Sequence, residues 1–214
     1  MSTLKDLILG MADVDNVKRH VSDALRSGEE PSKVIDVLND ALEEVGRRYE
    51  SGEYFLSELM MAGILATEAT KILDAHMAGG KRSKIAKVVM GTVKGDIHDI
   101  GKNIVVMMLR AADFEVLDLG VDVPPEKFVE TIRNEGAQIV GMSALLTSTV
   151  DQMKIVIDAF TKQGVRGKVK VIVGGRPVTE EFAREIGADG YAEDAVEAIK
   201  VVRDFVQLGG ARLE

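Results

Sequence analysis

His98 stands close to two carboxylates, Asp96 and Asp99, in the segment GTVKGDIHDIGKN (residues 91–103), which also carries glycines at 95 and 101. An imidazole in that setting can bind a metal through one ring nitrogen while the other donates its N–H to a carboxylate, which fixes the tautomer and raises the ligand's basicity. Asp96, two residues before the histidine, is spaced to be that carboxylate. The chain has no Cys and three His, so any nitrogen-ligated metal must use His20, His76 or His98, and no thiolate can assist. The plain alternative is a solvated His–Asp pair of the kind common on surfaces. A phosphate loop fits the segment worse, because five residues rather than four separate Gly95 from Gly101 and Asn103 stands where a hydroxyl is needed. There is no G-x-G-x-x-G fingerprint either, and Asp96 and Asp99 would repel a pyrophosphate.

Two later stretches also carry unusual residue types. GMSALLTSTVDQM (residues 141–153) offers Ser143, Thr147, Ser148 and Thr149 ahead of a helix. Thr147 or Ser148 is expected to cap that helix, whereas Ser143 is not explained by capping. GGRPV (residues 174–178) begins with Gly174 and Gly175, which leave no side chain between the backbone and whatever packs there.

The elements that must position these loops follow from periodicity. From Ile85 onward, short β-branched runs beginning at Ile85, Phe114, Ala137 and Lys168, and a weak one at 190–192, alternate with helical stretches near 100–112, 125–134, 149–163, 180–186 and 194–208. Strict alternation predicts parallel strands joined by helical crossovers: an α/β, flavodoxin-like (Rossmann-type) five-stranded parallel sheet with helices on both faces. The three unusual stretches each follow a strand, the first, third and fourth, whose carboxyl ends are neighbours in such a sheet. They should converge on one crevice, where small side chains open a narrow slot and the His98 loop stands at its mouth. Residues 1–80 read differently. Val14, Val17, Val21 and Leu25, then Val34, Ile35, Leu38, Leu42, Val45 and Tyr49, then Leu59 to Leu73 recur at three- and four-residue intervals and predict a helical bundle, with Asp13 an N-cap and Pro31 in a first turn. The third long helix is expected to reach Met77 and stop at Gly79–Gly80. Residues 1–80 thus form a helical domain, 81–84 a polar linker and 85–214 the sheet domain.

Composition removes other functions. With 35 Asp and Glu against 27 Lys and Arg, a net charge of −8 and 4% aromatics, a broad nucleic-acid surface is disfavoured. No apolar run reaches the ~18 residues of a membrane span, and the N-terminus lacks a signal-peptide pattern, so a cytoplasmic protein with no membrane partner is expected.

Asp96-x-His98-x-x-Gly101, 41 residues, Ser143-x-Leu145, 28 residues, then Gly174–Gly175 resembles the cobalamin-binding signature of methionine synthase, some cobalamin mutases and the methyl-carrying corrinoid proteins. The segment GEYFLSELMMA (residues 52–62) is similar to the cap module of methionine synthase and the corrinoid proteins. The resemblance implies that His98 is the axial cobalt ligand of a base-off cobalamin, and that Asp96, backed by Thr149 where related modules often have Ser, tunes it. It extends the cofactor-binding set to Asp99 and Gly101, with the cofactor's own base inserted beside Ser143, Leu145, Thr147, Gly174 and Gly175. Phe55 and Leu59, with Tyr54, Leu56 and Met60, would shield the methyl group, under a cap hinged near Lys81–Lys84. It leaves His20 and His76 as ordinary helix residues.

With little chain beyond cap and sheet, the sequence resembles the corrinoid component of an anaerobic methyltransferase system in methanogenesis or acetogenesis rather than a complete enzyme. That resemblance implies methylcobalamin as the loaded cofactor. It implies three protein partners: a substrate-specific methyltransferase for methylamine, methanol, betaine or aryl methyl ether donors, a second passing the methyl to coenzyme M or tetrahydrofolate, and a reductive activating protein. A cobalamin-dependent sensor is the alternative, disfavoured by the lack of a basic helix for DNA, and a flavodoxin-like signalling or flavin domain must treat all three loops as accidental.

Overall fold

The computed structural model describes residues 3–76 and 84–210. The chain divides into two compact units, Met1–Ser83 with Arg110–Asp113, and Lys84–Leu109 with Phe114–Glu214. The helix end expected at Met77 to Gly80, the expected linker apart from Lys84, and the last four residues lie outside the described residues.

The helical unit contains α1 (Leu4–Leu9), α2 (Val14–Arg26), α3 (Pro31–Glu50) and α4 (Leu56–His76). The first three starts have a local cause. Thr3 and Asp6 form a reciprocal capping box on α1, Asp13 accepts the Asp15 N–H at the start of α2, and Pro31 opens α3 with φ already suited to a helix. Helices α2 to α4 each bury one apolar stripe: Val17, Val21 and Leu25 on α2; Val34, Leu38, Leu42 and Val45 on α3; Leu59, Leu65 and Leu73 on α4. At α2 and α3 most of the predicted stripe is buried, while Val14, Ile35 and Tyr49 at its margins are half-buried and Ala41 and Gly46 join it.

The sheet unit runs β1 (Lys87–Thr92), α5 (Ile100–Ala111), β2 (Glu115–Asp118), α6 (Pro125–Glu135), β3 (Ile139–Ser143), α7 (Gln152–Lys162), β4 (Lys170–Gly174), α8 (Glu180–Ile186), β5 (Gly190–Ala192) and α9 (Ala195–Gly210). All pairings are parallel, in the order β2-β1-β3-β4-β5. This is the α/β, flavodoxin-like arrangement expected, with its switch point between β1 and β3. Val89, Val140, Met142, Val171 and Val173 alternate onto one face, against Phe128 of α6 and Phe160 of α7. Val88, Met90, Ile139 and Ile172, on the alternate positions, are buried as well, so both faces of the central strands are covered.

Boundaries differ from the sequence expectation by a few residues, β1 and β3 each starting two residues later than the runs at Ile85 and Ala137, and two of the differences have a visible cause. Residues 166–168 form a 3₁₀ turn, so β4 starts at Lys170. The helix expected from Thr149 starts at Gln152, with Asp151 at the N-cap position and no side-chain cap, so neither Thr147 nor Ser148 caps it. The reason is that Thr149 faces inward: its hydroxyl is engaged by a carboxylate and by the Leu146 carbonyl, which holds residues 146–151 in turns.

Candidate functional site

The register brings the three sequence stretches into line. Thr92 pairs with Ser143, Ser143 with Gly174 and Gly174 with Ala192, so one row across the carboxyl edge of the sheet carries the starts of all three loops.

Asp96 is fully buried in this row's first loop and gathers it into one unit. Its Oδ1 accepts from the His98 N–H at 3.0 Å and from His98 Nδ1 at 2.8 Å. Its Oδ2 accepts from the N–H groups of Leu145 (2.7 Å) and Leu146 (3.1 Å) and from the Thr149 hydroxyl (2.9 Å). Burial by itself would push this carboxyl up; the donors from His98, Leu145 and Leu146 outweigh it and hold Asp96 well below the usual carboxylate range. An ionised carboxylate only accepts, so Nδ1 of His98 carries the proton and Nε2 of the neutral ring keeps its lone pair. The His98 side chain is 45% exposed, and Nε2 makes no hydrogen bond among the described residues. Thr92 donates its hydroxyl to the His98 carbonyl at 3.1 Å, fixing the backbone beneath the ring. Apolar residues stand open beside the histidine and on the facing loop: Ile97 (73% exposed), Ile100 (75%) and Leu145 (43%), with Leu146 also exposed.

Asp99 and Gly101 differ in what they do. The Asp99 carboxylate accepts from the Asn103 side chain at 2.9 Å and its carbonyl from the Asn103 N–H, so it anchors the start of α5. Gly101 lies in the first turn of α5, and a Cβ there would meet nothing within 4 Å. Glycine costs about 1 kcal/mol against Ala in a helix, and no neighbour in this chain requires it here. Close approach of a ligand would.

At Gly174 and Gly175 the space is already taken. A Cβ on Gly174 would fall 2.5 Å from the Ala192 carbonyl oxygen, and one on Gly175, whose φ is +123°, would fall 1.9 Å from the Ala144 carbonyl oxygen. Here glycine lets neighbouring backbones close up, and any side chain would force them apart. Ser143 is half-buried beside them, and Thr147 is exposed on the same loop.

On the helical unit, Phe55 is 70% exposed where α4 begins, and Leu56, Met60, Met61 and Ile64 are exposed along the same helix. Leu59 was expected among the shielding residues, but it is 1% exposed and belongs to the apolar stripe that α4 packs against its own bundle. Tyr54 is committed too: its hydroxyl donates to the Leu9 carbonyl at 2.8 Å and accepts from Arg48.

Three residues were not legible in the sequence: Lys102, Asp118 and Asp122. Lys102 is buried and its Nζ donates to both oxygens of Asp118 (2.7 and 2.8 Å) and to Asn103 Oδ1 (2.7 Å). Asp122, at a left-handed φ of +52°, accepts the Gly95 N–H at 2.6 Å and donates its own N–H to the Asp96 carbonyl at 2.9 Å. The ties of Lys102 to Asp118 and of Gly95 to Asp122 each cross 16 or more residues, and the sequence shows only separated, ordinary charged residues.

The B12 binding domain family matches residues 86–200, and a second B12 binding domain family matches residues 3–74. A dimethylamine corrinoid protein of Methanosarcina acetivorans is 38% identical over 212 residues, covering 92% of this chain and all of the relative. A solved cobalamin-binding protein of Desulfitobacterium hafniense superposes with a TM-score of 0.80 at 33% identity, covering 94% of this chain and 96% of that one. The solved methanol:cobalamin methyltransferase complex of Methanosarcina barkeri contains a chain matched with a TM-score of 0.83 at 30% identity, covering 95% of this chain and 78% of that one.

Proposed function

The chain belongs to the corrinoid proteins built on B12 binding domains, with a cobalamin or related corrinoid as cofactor, and from that premise we propose that it carries a methyl group between two methyltransferases. The observation that carries this reading is the Asp96 carboxylate, whose five hydrogen bonds fix the His98 ring and leave Nε2 free at the sheet's carboxyl edge.

The residues present fit the group. Among the described residues no cluster of three or more His, Asp or Glu could hold a metal, so His98 suits a metal that brings its other ligands with it, as cobalt in a corrin does. Gly101 leaves open space at the start of α5, and Ile97, Ile100 and Leu145 offer apolar contact around the histidine. When bound, the corrinoid supplies a cobalt centre able to hold a methyl group and give it up.

The protein's own residues do the rest. His98 would be the axial ligand through Nε2, with the cofactor's nucleotide base displaced toward Ser143, Leu145, Thr147, Gly174 and Gly175. Asp96 would hold the Nδ1 proton and so set how strongly His98 donates, while Thr149 keeps the carboxylate aimed. On the helical unit, Phe55, Leu56 and Met60 are the exposed residues proposed to shield the methyl group. The names of the relatives support a methylated amine or methanol as donor, delivered by a substrate-specific methyltransferase. A second methyltransferase would pass the methyl to coenzyme M or tetrahydrofolate, and a reductive activating protein would rescue oxidised cobalt, in the cytoplasm.

The test is reconstitution of wild type and His98→Ala with cobalamin. The wild type should take up the cofactor, and its Co(II) spin resonance should show splitting by one histidine nitrogen, lost in the variant. Absence of uptake, or the same spectrum in both proteins, would overturn the assignment.

A further inference from the structure

The His98 loop is gripped at both ends by one other loop, and neither grip involves Asp96's carboxylate or Thr149. Downstream of His98, Asp99 is held by Asn103, Asn103 by buried Lys102, and Lys102 by Asp118 at the end of edge strand β2. Upstream, four residues beyond Asp118, Asp122 accepts the Gly95 N–H and donates its N–H to the Asp96 carbonyl. The intervening residues are fastened as well, through Gly120 N–H to Asp118 and Thr92 N–H to the Gly120 carbonyl. We propose that Asp118, at the end of β2, and Asp122, in the β2–α6 loop, are positioning residues for His98: together they clamp the backbone on either side of it and set the place from which its ring reaches a metal. This rests on the assignment of His98 as an axial ligand.

Three features argue for a device rather than ordinary packing. A lysine ammonium that is 2% exposed carries a large desolvation cost, which both oxygens of Asp118 and Asn103 offset with good geometry, and an apolar pair could fill such a site with less stability at risk. Asp122 holds a left-handed φ that a non-glycine residue adopts rarely, at the position where its carboxylate meets the Gly95 N–H. Asn103 is exposed, so its two side-chain bonds are not demanded by burial; what they join is the buried lysine to the carboxylate next to His98. The anchoring of a metal-binding histidine depends on its second ring nitrogen and on the backbone that carries it. Asp96 secures the first, and the clamp secures the second.

The variants separate positioning from stability. Asn103→Ala cuts the downstream tie without touching the buried ion pair. Lys102→Met/Asp118→Leu replaces that pair with apolar side chains of similar reach, which preserves or raises thermal stability while removing the tie to Asn103. Asp122→Gly accepts the same φ but lacks the acceptor, and Asp122→Asn accepts the φ and keeps an oxygen for the Gly95 N–H. Each is reconstituted with cobalamin, and the Co(II) population with histidine-nitrogen splitting is measured alongside the melting temperature. Changes at residues that orient metal ligands commonly cost 10–100-fold in affinity, so each broken tie should lower the ratio of histidine-bound to histidine-free cobalt by about 3- to 10-fold, with Asp122→Asn close to wild type. In the cofactor-free proteins, the His98 ring resonances should broaden or split in the first three variants and stay single in the fourth. Wild-type nitrogen splitting that persists unchanged in all four would overturn the clamp. Wild type without splitting would instead overturn the axial-ligand assignment, while the ring resonances still report on the clamp.

Discussion

The two units solve the problem of polar groups in opposite ways. In the helical unit, side-chain hydrogen bonds are mostly local and lie at the surface, as between Glu44 and Arg47 or Arg48 and between Lys71 and Glu68, with Tyr54 to Leu9 and Lys18 to Glu68 as tertiary ties. Its buried stripes are almost wholly apolar. In the sheet unit, the carboxyl edge buries a carboxylate, a threonine hydroxyl and a lysine, and the bonds to Asp96 reach 49, 50 and 53 residues along the chain. The contrast teaches where chemistry resides. A bundle needs only a stripe to fold, whereas buried polar groups with long-range donors are costly to assemble and persist where a side chain must be held in one orientation.

If that division is right, the largest effects come from the edge row. Gly175→Ala forces a side chain into a left-handed φ against the Ala144 carbonyl, and should destabilise the chain by about 3 kcal/mol or more in chemical denaturation. Asp96→Ala orphans the Leu145 and Leu146 N–H groups and leaves the Thr149 hydroxyl only the Leu146 carbonyl, and should cost roughly 3 kcal/mol as well as cofactor uptake. Leu73→Ala, in the bundle interior, should lose stability on the same scale, about 2–5 kcal/mol, yet leave the histidine-nitrogen splitting of refolded, reconstituted protein unchanged. A loss of that signal in Leu73→Ala would erase the distinction between the units.

Acid and salt sharpen the comparison further. Arg48 and then Arg47 pull Glu44 down to about 2, and Lys18 and then Lys71 do the same for Glu68. These values and that of Asp96 all lie below the unfolded ones, so the stability each contributes is fully present above the ordinary carboxylate range and is lost as pH falls through and below it. The causes differ. At ~1 M salt the screening length shrinks to about 3 Å, so the carboxyls of Glu44 and Glu68 should titrate closer to normal while buried Asp96 stays low, as followed by carboxyl resonances. Equal shifts at all three would show that Asp96 is held by charge rather than by its fixed donors.

The smallest effect is the most pointed. Gly101→Ala should stabilise the cofactor-free chain by up to about 1 kcal/mol, because a Cβ there meets nothing and helix propensity rises, while weakening cobalamin uptake. Improved stability with unchanged uptake would mean that nothing comes close to the start of α5.

Much of this is legible in the residues alone. The β-branched runs and helical stripes locate all five strands, and His98, Asp96 and the Gly–Gly pair stand out by type. The departures are instructive. The resemblance of residues 52–62 to the cap module implies that Phe55 and Leu59 both shield the methyl group. Phe55, however, precedes the first residue of α4, so the helical period does not set its direction; it stays open while Leu59 joins the stripe that α4 buries. Thr149 is expected inside a helix, since periodicity cannot see a carboxylate drawing the hydroxyl inward.

The sequence by itself determined the elements and the residue types available for chemistry, because propensity and hydrophobic period act over a few neighbouring residues. Only the tertiary structure decided which donors hold Asp96 in its buried place and which lysine joins the β2 edge to the histidine loop. Those outcomes depend on hydrogen bonds between residues 16 to 53 apart, whose geometry exists only once parallel strands have set the loops side by side.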